Sequence, residues 1–202
     1  QAAFVLPIQG SKETTYMFMG DRWSFPKQAC SATYVWQPLA ISGKSLSIPV
    51  YKETWKIDLA TGIASVPKNT NKILKNNNKE IAYSGNWSHT DKESKSDDKN
   101  ASFSIKFKGQ QIGFSSFVGT ENGYAKVVLT DEKGKIITSA IVDLYSKNST
   151  ETAVYKSPIL KNGNYILTVS GTGERPNWSD KRKSNYGSTG YYISVTQIEI
   201  KK

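Results

Sequence analysis

The sequence is poor in the residues from which most metal centres and nucleophilic active sites are built. Its 202 residues include one cysteine, Cys30, and one histidine, His89. A single cysteine excludes an intrachain disulfide framework and a zinc site made of several cysteines. A single histidine argues against a histidine-based metal centre and against a catalytic triad that uses an imidazole base.

Long apolar segments are also missing. Hydrophobic residues make up 37% of the chain, the mean hydropathy is -0.50, and no apolar run approaches the roughly 20 residues of a membrane helix. We therefore expect no membrane span. The chain starts at Gln1 without an initiator methionine or an apolar leader. We expect either that a signal peptide has been removed or that this is a piece of a longer protein.

The charge is strongly positive but is not concentrated. Lysine and arginine number 27 against 17 acidic residues, which gives a formal net charge of +10. Residues 67–202 carry most of the excess, yet their lysines are interspersed with Asp, Glu, Ser and Asn, as in DKESKSDDK. Such mixing is typical of a solvated surface rather than of a basic stripe along phosphates, and we expect no nucleic-acid partner.

Apolar and polar residues alternate with a period of two in much of the chain, and this pattern predicts β-strands. In residues 102–108, Phe103, Ile105 and Phe107 share one face, and serine and lysine side chains occupy the other. Similar segments follow at residues 111–118, 124–130, 136–144, 152–155, 165–170 and 191–200. Polar turns at residues 131–134 and 161–164 connect some of them. Strands of this length and spacing predict a β-sandwich over residues 79–202.

The N-terminal part also reads as β-structure, but its composition differs. Residues 4–8, 15–19, 34–39 and 55–59 predict four strands, enough for one small antiparallel sheet or one propeller blade. Residues 67–78 are rich in Asn and Lys and predict a linker, and residues 89–100 predict a surface loop. We therefore predict an all-β protein with a small sheet over residues 1–66 followed by the sandwich.

Three motifs in this first part carry a family resemblance. Residues 16–23 read YMFMGDRW, residues 31–39 read SATYVWQPL, and residues 55–58 read WKID. In this order and spacing they resemble the end of a glycoside hydrolase family 43 catalytic domain, most closely the branch that contains exo-β-1,3-galactanases. Gln37 stands where that branch usually has leucine.

The resemblance implies a five-bladed β-propeller with acidic catalytic residues near its centre. Residues 1–66 would be its last blade, and the blades that carry the catalytic residues would precede Gln1. The chain itself is then expected to hold no catalytic residue and to be inactive. The resemblance implies that the family-motif positions Gln1, Asp21, Arg22 and Trp23 contact substrate, with a structural charge pair at a strand end as the alternative for Asp21 and Arg22.

Residues 79–202 resemble a galactose-binding-like jelly-roll module of the kind that often follows such propellers. The carriers are residues 83–88 (YSGNWS), 109–112, 163–169 and 171–174, together with the final strand, residues 192–200. The resemblance implies a secreted, periplasmic or cell-surface protein whose partners are polysaccharides or oligosaccharides, along with the missing blades of its parent.

Candidate ligand residues lie in a loop near the C-terminus. Gly171, Gly173 and Pro176 end the preceding strand, so we predict that Trp178 lies outside a strand ladder and stacks on a sugar ring. Its predicted polar and aromatic neighbours are Asn177, Asn185, Tyr186 and Tyr191. Trp87 is a further candidate, with a place in the core as its alternative.

Three functions remain open at this stage. The chain is a non-catalytic binding region of a family 43-like hydrolase, a glycosidase that is active only as its full-length parent, or a structural spacer. No cofactor is expected. A structural Ca²⁺ site is left open, with Asp97, Asp98 and Asp143 as candidate ligands.

Overall fold

The computed structural model describes residues 1–22, 33–52, 54–67, 71–179 and 185–202. Over these residues the protein is built from strands joined by turns, which confirms the predicted all-β class. Within the same residues, no helix has the length and apolarity needed to cross a membrane. The strands are β1 (Ala2–Gln9), β2 (Thr14–Arg22), β3 (Thr33–Pro38), β4 (Ala40–Ser42), β5 (Ser45–Ser47), β6 (Lys56–Ile57), β7 (Ala64–Ser65), β8 (Lys72–Lys75), β9 (Ile81–Ser84), β10 (Ser88–His89), β11 (Ser94–Ser96), β12 (Ser102–Gly109), β13 (Gln111–Val118), β14 (Tyr124–Asp131), β15 (Ile136–Asp143), β16 (Thr150–Lys156), β17 (Gly163–Gly171), β18 (Asn177–Ser179), β19 (Asn185–Gly187), β20 (Ile193–Val195) and β21 (Gln197–Lys201).

The chain divides into two compact units, Gln1–Asn69 and Thr70–Lys202. The first unit contains an antiparallel sheet in the order β1-β2-β3 and two separate hairpins, β4-β5 and β6-β7. The sequence predicted residues 55–59 as a fourth strand of the sheet. That prediction is wrong, because Lys56 and Ile57 pair with Ser65 and Ala64 in their own hairpin.

The first unit buries little apolar surface. Met17, at 2% exposure, is the one buried hydrophobic residue among its described positions. Large side chains on all three strands of the sheet are exposed instead: Phe4, Val5, Leu6, Tyr16, Tyr34 and Trp36. A sheet with so little buried apolar area is not expected to be stable alone in water.

A polar clamp joins the β1–β2 turn to the β6–β7 hairpin. The Thr15 hydroxyl donates to the Gly62 carbonyl at 2.7 Å, and the Glu13 amide donates to the Thr61 carbonyl at 3.1 Å. Gly62 has φ +78, and a Cβ there would lie 1.9 Å from the Glu13 carbonyl oxygen, so the approach requires glycine. Amides of Thr61 and Ala60 donate to the Asp58 carboxylate, which lowers the pKa of that carboxyl.

The second unit is a sandwich of two antiparallel sheets. Their strand orders are β15-β14-β17-β12-β9 and β16-β13-β21-β8, and a third, smaller sheet has the order β10-β11-β20. Three details differ from the sequence predictions. β8 lies inside residues 67–78, the predicted linker; β10 and β11 include parts of the predicted loop at residues 89–100; and residues 191–200, predicted as one strand, are divided between β20 and β21, which belong to different sheets.

The core of the second unit lies between the two large sheets. Along β12, Phe103, Ile105 and Phe107 are buried and face this core, which confirms the alternation predicted for residues 102–108. The other buried members are Leu74, Ile81, Ile112, Phe114, Val118, Ala125, Val127, Leu129, Leu144, Leu167, Val169, Ile193, Val195, Ile198 and Ile200. The whole hydrophobic cluster therefore belongs to residues 70–202.

We expect the two units to behave differently when separated. A fragment of residues 70–202 should unfold cooperatively, since it contains the whole described core. A fragment of residues 1–69 should aggregate, because its apolar side chains are largely exposed. Light scattering and urea denaturation of the two purified fragments check this, and a soluble, cooperatively folding 1–69 fragment would contradict it.

Candidate functional site

Connections between strands of the second unit are joined to one another by main-chain hydrogen bonds. We call residues 119–124, 144–146, 172–178 and 187–192 the loop cluster. The bonds run from amide to carbonyl as Gly119 to Leu144 (3.2 Å), Ser146 to Gly119 (3.1 Å), Gly123 to Tyr192 (3.0 Å), Tyr124 to Glu174 (3.0 Å), Ser188 to Pro176 (3.0 Å) and Thr189 to Thr120 (2.8 Å). These bonds hold segments distant in sequence in one fixed frame.

Small residues make the close approaches in this frame. A Cβ on Gly123 would lie 2.6 Å from the Glu174 carbonyl oxygen, so the chain passes there only as glycine. The Ser188 hydroxyl donates to the Gly190 carbonyl at 2.8 Å, and its oxygen accepts from the Gly190 amide at 3.1 Å. These close approaches and bonds fix the path of the main chain in the loop cluster.

Trp178 belongs to this cluster, but it is not outside a strand ladder as the sequence predicted. It lies in β18, which pairs with β19 so that Trp178 stands opposite Tyr186. The indole is half-buried and meets the Tyr145 ring at 5.4 Å between centroids, edge to face at 67°. Asn177 beside it is exposed. The side chains of Asn185 and Tyr186 lie outside the described residues.

Tyr191 lies in the last segment of the loop cluster and is 43% exposed. The guanidinium carbon of Arg175 lies 5.0 Å from the centre of its ring. A cation over an aromatic face is attracted by the ring quadrupole, which holds both side chains in place. The structure thus places Trp178 and Tyr191, two of the predicted ligand residues, in one frame together with Tyr145 and Arg175, which the sequence did not point to.

A groove of about 340 Å³ opens beside the same frame. Phe117 and Tyr192 supply apolar surface, and Lys95, Glu121 and Asn122 supply polar groups. The Lys95 ammonium lies 5.2 Å from the centre of the Tyr192 ring, and the Asn122 amide donates to the Phe117 carbonyl at 3.2 Å. Sequence reasoning missed this groove. The one signal in the sequence was the adjacent pair Tyr191 and Tyr192. Because neighbouring residues of an extended segment point to opposite sides, the two rings were expected to face different surfaces.

Trp87 packs at the core, which is the alternative to ligand binding that the sequence left open for it. Its indole N–H donates to the Ser84 carbonyl at 2.9 Å, and its ring packs edge-on against Tyr83 (4.9 Å) and Phe103 (6.0 Å). The neighbouring Tyr83 hydroxyl donates to the Asn76 carbonyl at 2.7 Å, and burial raises the pKa of that phenol. These contacts give Trp87 a packing role.

The family-motif residues of the first unit form a different set of contacts. The Gln1 amino group donates to the Asp21 carbonyl at 2.7 Å, and the Asp21 amide donates to the Gln1 carbonyl at 2.8 Å, so these two residues pair through the main chain. The Arg22 guanidinium lies 5.9 Å from the centre of the Tyr51 ring. Trp23 lies outside the described residues.

Two of the three candidate calcium ligands, Asp98 and Asp143, accept hydrogen bonds from nearby main-chain amides. Asp98 accepts from the Asn100 amide at 2.8 Å, and Asp143 accepts from the Tyr145 amide at 2.9 Å. No group of three or more His, Cys, Asp or Glu side chains in the described part of the chain is arranged to hold a metal ion. Asp97, Asp98 and Asp143 therefore do not converge on one cation.

No protein-family model and no curated protein sequence matches this chain. Crystal structures of two variants of an exo-β-1,3-galactanase from Phanerochaete chrysosporium, both with β-1,3-galactotriose, are similar to it. Each is 19% identical and covers 99% of this chain and 43% of the galactanase, with TM-scores of 0.52 and 0.51. A glycoside hydrolase family 43 arabinoxylan arabinofuranohydrolase from Bacillus subtilis is 9% identical over 98% of this chain and 40% of its own, with a TM-score of 0.36. The galactanase similarity concerns the fold, and this chain spans less than half the length of that enzyme.

Proposed function

We propose that the chain is the non-catalytic C-terminal region of a secreted glycoside hydrolase family 43-like protein, and that its second unit binds or positions plant-type polysaccharide. The observation that carries the proposal is the loop cluster. It presents aromatic side chains and polar groups on a frame held by main-chain hydrogen bonds. The fold similarity to an exo-β-1,3-galactanase supports a role in carbohydrate recognition.

Sugar rings suit such a surface because they have apolar C–H faces and a rim of hydroxyl groups. Trp178 and Tyr145 offer aromatic surface, and Tyr191 is exposed beside its Arg175 partner. Hydroxyl groups at the rim of a sugar need both donors and acceptors, which Lys95, Glu121 and Asn122 supply in the adjoining groove. A fixed frame lowers the entropy cost of binding a flexible saccharide.

The alternative, a glycosidase that is active as a longer parent, is favoured by the first unit. Its sheet exposes apolar side chains on β1 and β2, as expected for a blade that other blades complete. The activity would then belong to carboxylates outside this chain. Titrating the whole chain calorimetrically with oligosaccharides of β-galactan, arabinan and xylan tests the binding proposal, and heat no greater than that of dilution for all three would contradict it.

We expect the chain itself not to hydrolyse aryl β-galactosides, α-arabinofuranosides or β-xylosides above background. Glycoside hydrolysis needs two carboxyl groups about 5–9.5 Å apart on either side of the scissile bond. The adjacent pair Asp131 and Glu132 instead serves a hairpin turn, where Asp131 accepts from the Lys133 and Lys135 amides. Release of nitrophenol over hours measures this. Turnover that persists through repurification and disappears in a point variant would refute the expectation.

A further inference from the structure

The first unit contains an open groove of about 280 Å³ lined by four aromatic side chains, Tyr34, Trp36, Tyr51 and Trp55. We call it the aromatic groove. Tyr34 is 73% exposed, Tyr51 50% and Trp36 46%. Tyr34 and Trp36 are two residues apart on β3 and therefore share one face, with ring centroids 6.0 Å apart. So much exposed aromatic area in one patch marks a binding surface more often than a chance arrangement.

The groove is held in shape by a buried side chain. The Gln37 amide nitrogen donates to the Lys52 carbonyl at 2.9 Å, and its amide oxygen accepts from the Lys52 main-chain N–H, also at 2.9 Å. Gln37 is 3% exposed, and the two bonds are partly buried. They tie the chain beside Tyr51 to β3. Leucine, the usual residue at this position in the glycoside hydrolase branch that the sequence resembles, could make neither bond.

A second tie fixes the other end of the groove. The Trp55 indole N–H donates to the Trp36 carbonyl at 2.9 Å, which orients the indole across the strand. The Arg22 guanidinium lies 5.9 Å from the centre of the Tyr51 ring. The groove therefore combines an indole fixed by a hydrogen bond with exposed tyrosine and tryptophan rings.

The chemistry of these residues separates the groove from the rest of the exposed surface. Elsewhere on the unit the exposed apolar residues include Phe4, Val5 and Leu6, which have no polar group and suit burial against protein. The groove carries tyrosine and tryptophan, whose rings stack on the C–H faces of sugars, and its tyrosine O–H groups can bond sugar hydroxyls. We propose that the aromatic groove binds a neutral oligosaccharide, as a site separate from the loop cluster.

Indole N–H resonances of ¹⁵N-labelled whole chain test this directly, since the tryptophans include reporters of both sites. We expect β-1,3-galactotriose, α-1,5-arabinotriose or β-1,4-xylotriose to shift the signals of Trp36 and Trp55, each assigned by its Trp→Phe variant. No shift of either signal with any of the three sugars at about 10 mM, where even millimolar binding is visible, overturns the inference.

Variants on one tyrosine locate the site. Tyr51→Ala should weaken the binding reported by Trp55 about 5- to 100-fold, the range expected for one lost stacking partner, while Tyr51→Phe retains the ring and most of the affinity. Tyr16→Ala is the matched control, because Tyr16 is 39% exposed on β2 and does not line this groove. Equal effects of Tyr51→Ala and Tyr16→Ala would overturn the inference. If a variant fails to fold, the NMR titration of the unsubstituted chain still tests whether the aromatic groove binds sugar.

The same spectra keep this inference apart from the proposed function. Shifts of Trp178 alone would support the loop cluster and overturn the aromatic groove. Shifts of the Trp36 and Trp55 signals alone would support the aromatic groove and contradict sugar binding by the loop cluster. Shifts of Trp36 and Trp55 that depend on protein concentration, and not on sugar, would identify a second copy as the occupant and also overturn the inference.

Discussion

Replacing Phe103 with alanine is expected to lower the free energy of unfolding of the second unit by about 3–5 kcal/mol. Phe103 has no exposed surface and stands at the centre of an aromatic cluster. Its ring meets Phe114 at 5.5 Å, Trp87 at 6.0 Å and Tyr83 at 6.3 Å between centroids. Truncation removes these contacts and leaves a cavity between the two large sheets. Because small domains are stable by only about 5–15 kcal/mol, this loss is a large fraction of the total free energy of unfolding.

Urea denaturation followed by tryptophan fluorescence measures this change. Ile141→Ala is the matched control, because Ile141 lies on β15 at 60% exposure and its loss should change stability by less than about 0.5 kcal/mol. If Phe103→Ala lowered the free energy of unfolding no more than Ile141→Ala does, the packing described for the sandwich would be wrong.

Replacing Trp178 with alanine is expected to weaken oligosaccharide binding by the second unit about 5- to 100-fold, which corresponds to one stacked aromatic worth about 1–3 kcal/mol. The change also removes the edge contact with Tyr145, so a small loss of stability of about 0.5–1.5 kcal/mol accompanies it. Calorimetric titration of the whole chain, beside a thermal melt, measures both quantities.

Two further variants separate stacking from packing. Trp178→Phe keeps a ring of reduced area and should recover part of the affinity. Trp87→Phe alters an indole that packs against Tyr83 and Phe103, so it should lower the melting temperature and leave the affinity unchanged. A Trp178→Ala variant that melts earlier but binds as the unsubstituted chain does would make Trp178 a packing residue.

The strands that follow a regular hydrophobic alternation were predictable from the sequence, and the irregular ones were not. On β12 every second residue is large and apolar, so its face could be assigned directly. On β11 the buried positions are Ser94 and Ser96, which carry no hydrophobic signal. Ser94 is buried because its hydroxyl bonds His89 at 2.7 Å and accepts from Asn76 at 3.1 Å, partners that only the folded chain supplies.

The candidate site was predictable only where a local sequence pattern marked it. Glycine and proline before Trp178 correctly ended the preceding strand at Gly171, although the short β18–β19 ribbon that follows has no such signal. The groove draws Lys95, Phe117 and Tyr192 from distant parts of the chain. Their meeting depends on the bridge between Asn122 and Tyr192, a tertiary register that no local pattern encodes.

The bonds that hold the loop cluster join amides to carbonyls, and this has a consequence for how the unit can diversify. Main-chain bonds do not depend on most side chains, so substitutions at exposed positions such as Thr120 and Glu121 can change the surface that the cluster presents while the frame persists. Gly123, Gly187 and Gly190 are the fixed positions, because a Cβ at each would lie 2.6, 2.4 and 2.7 Å from the carbonyl oxygens of Glu174, Pro176 and Glu121. If the loop cluster binds saccharide as proposed, a lineage that preserves these glycines can change its ligand preference at little risk to folding.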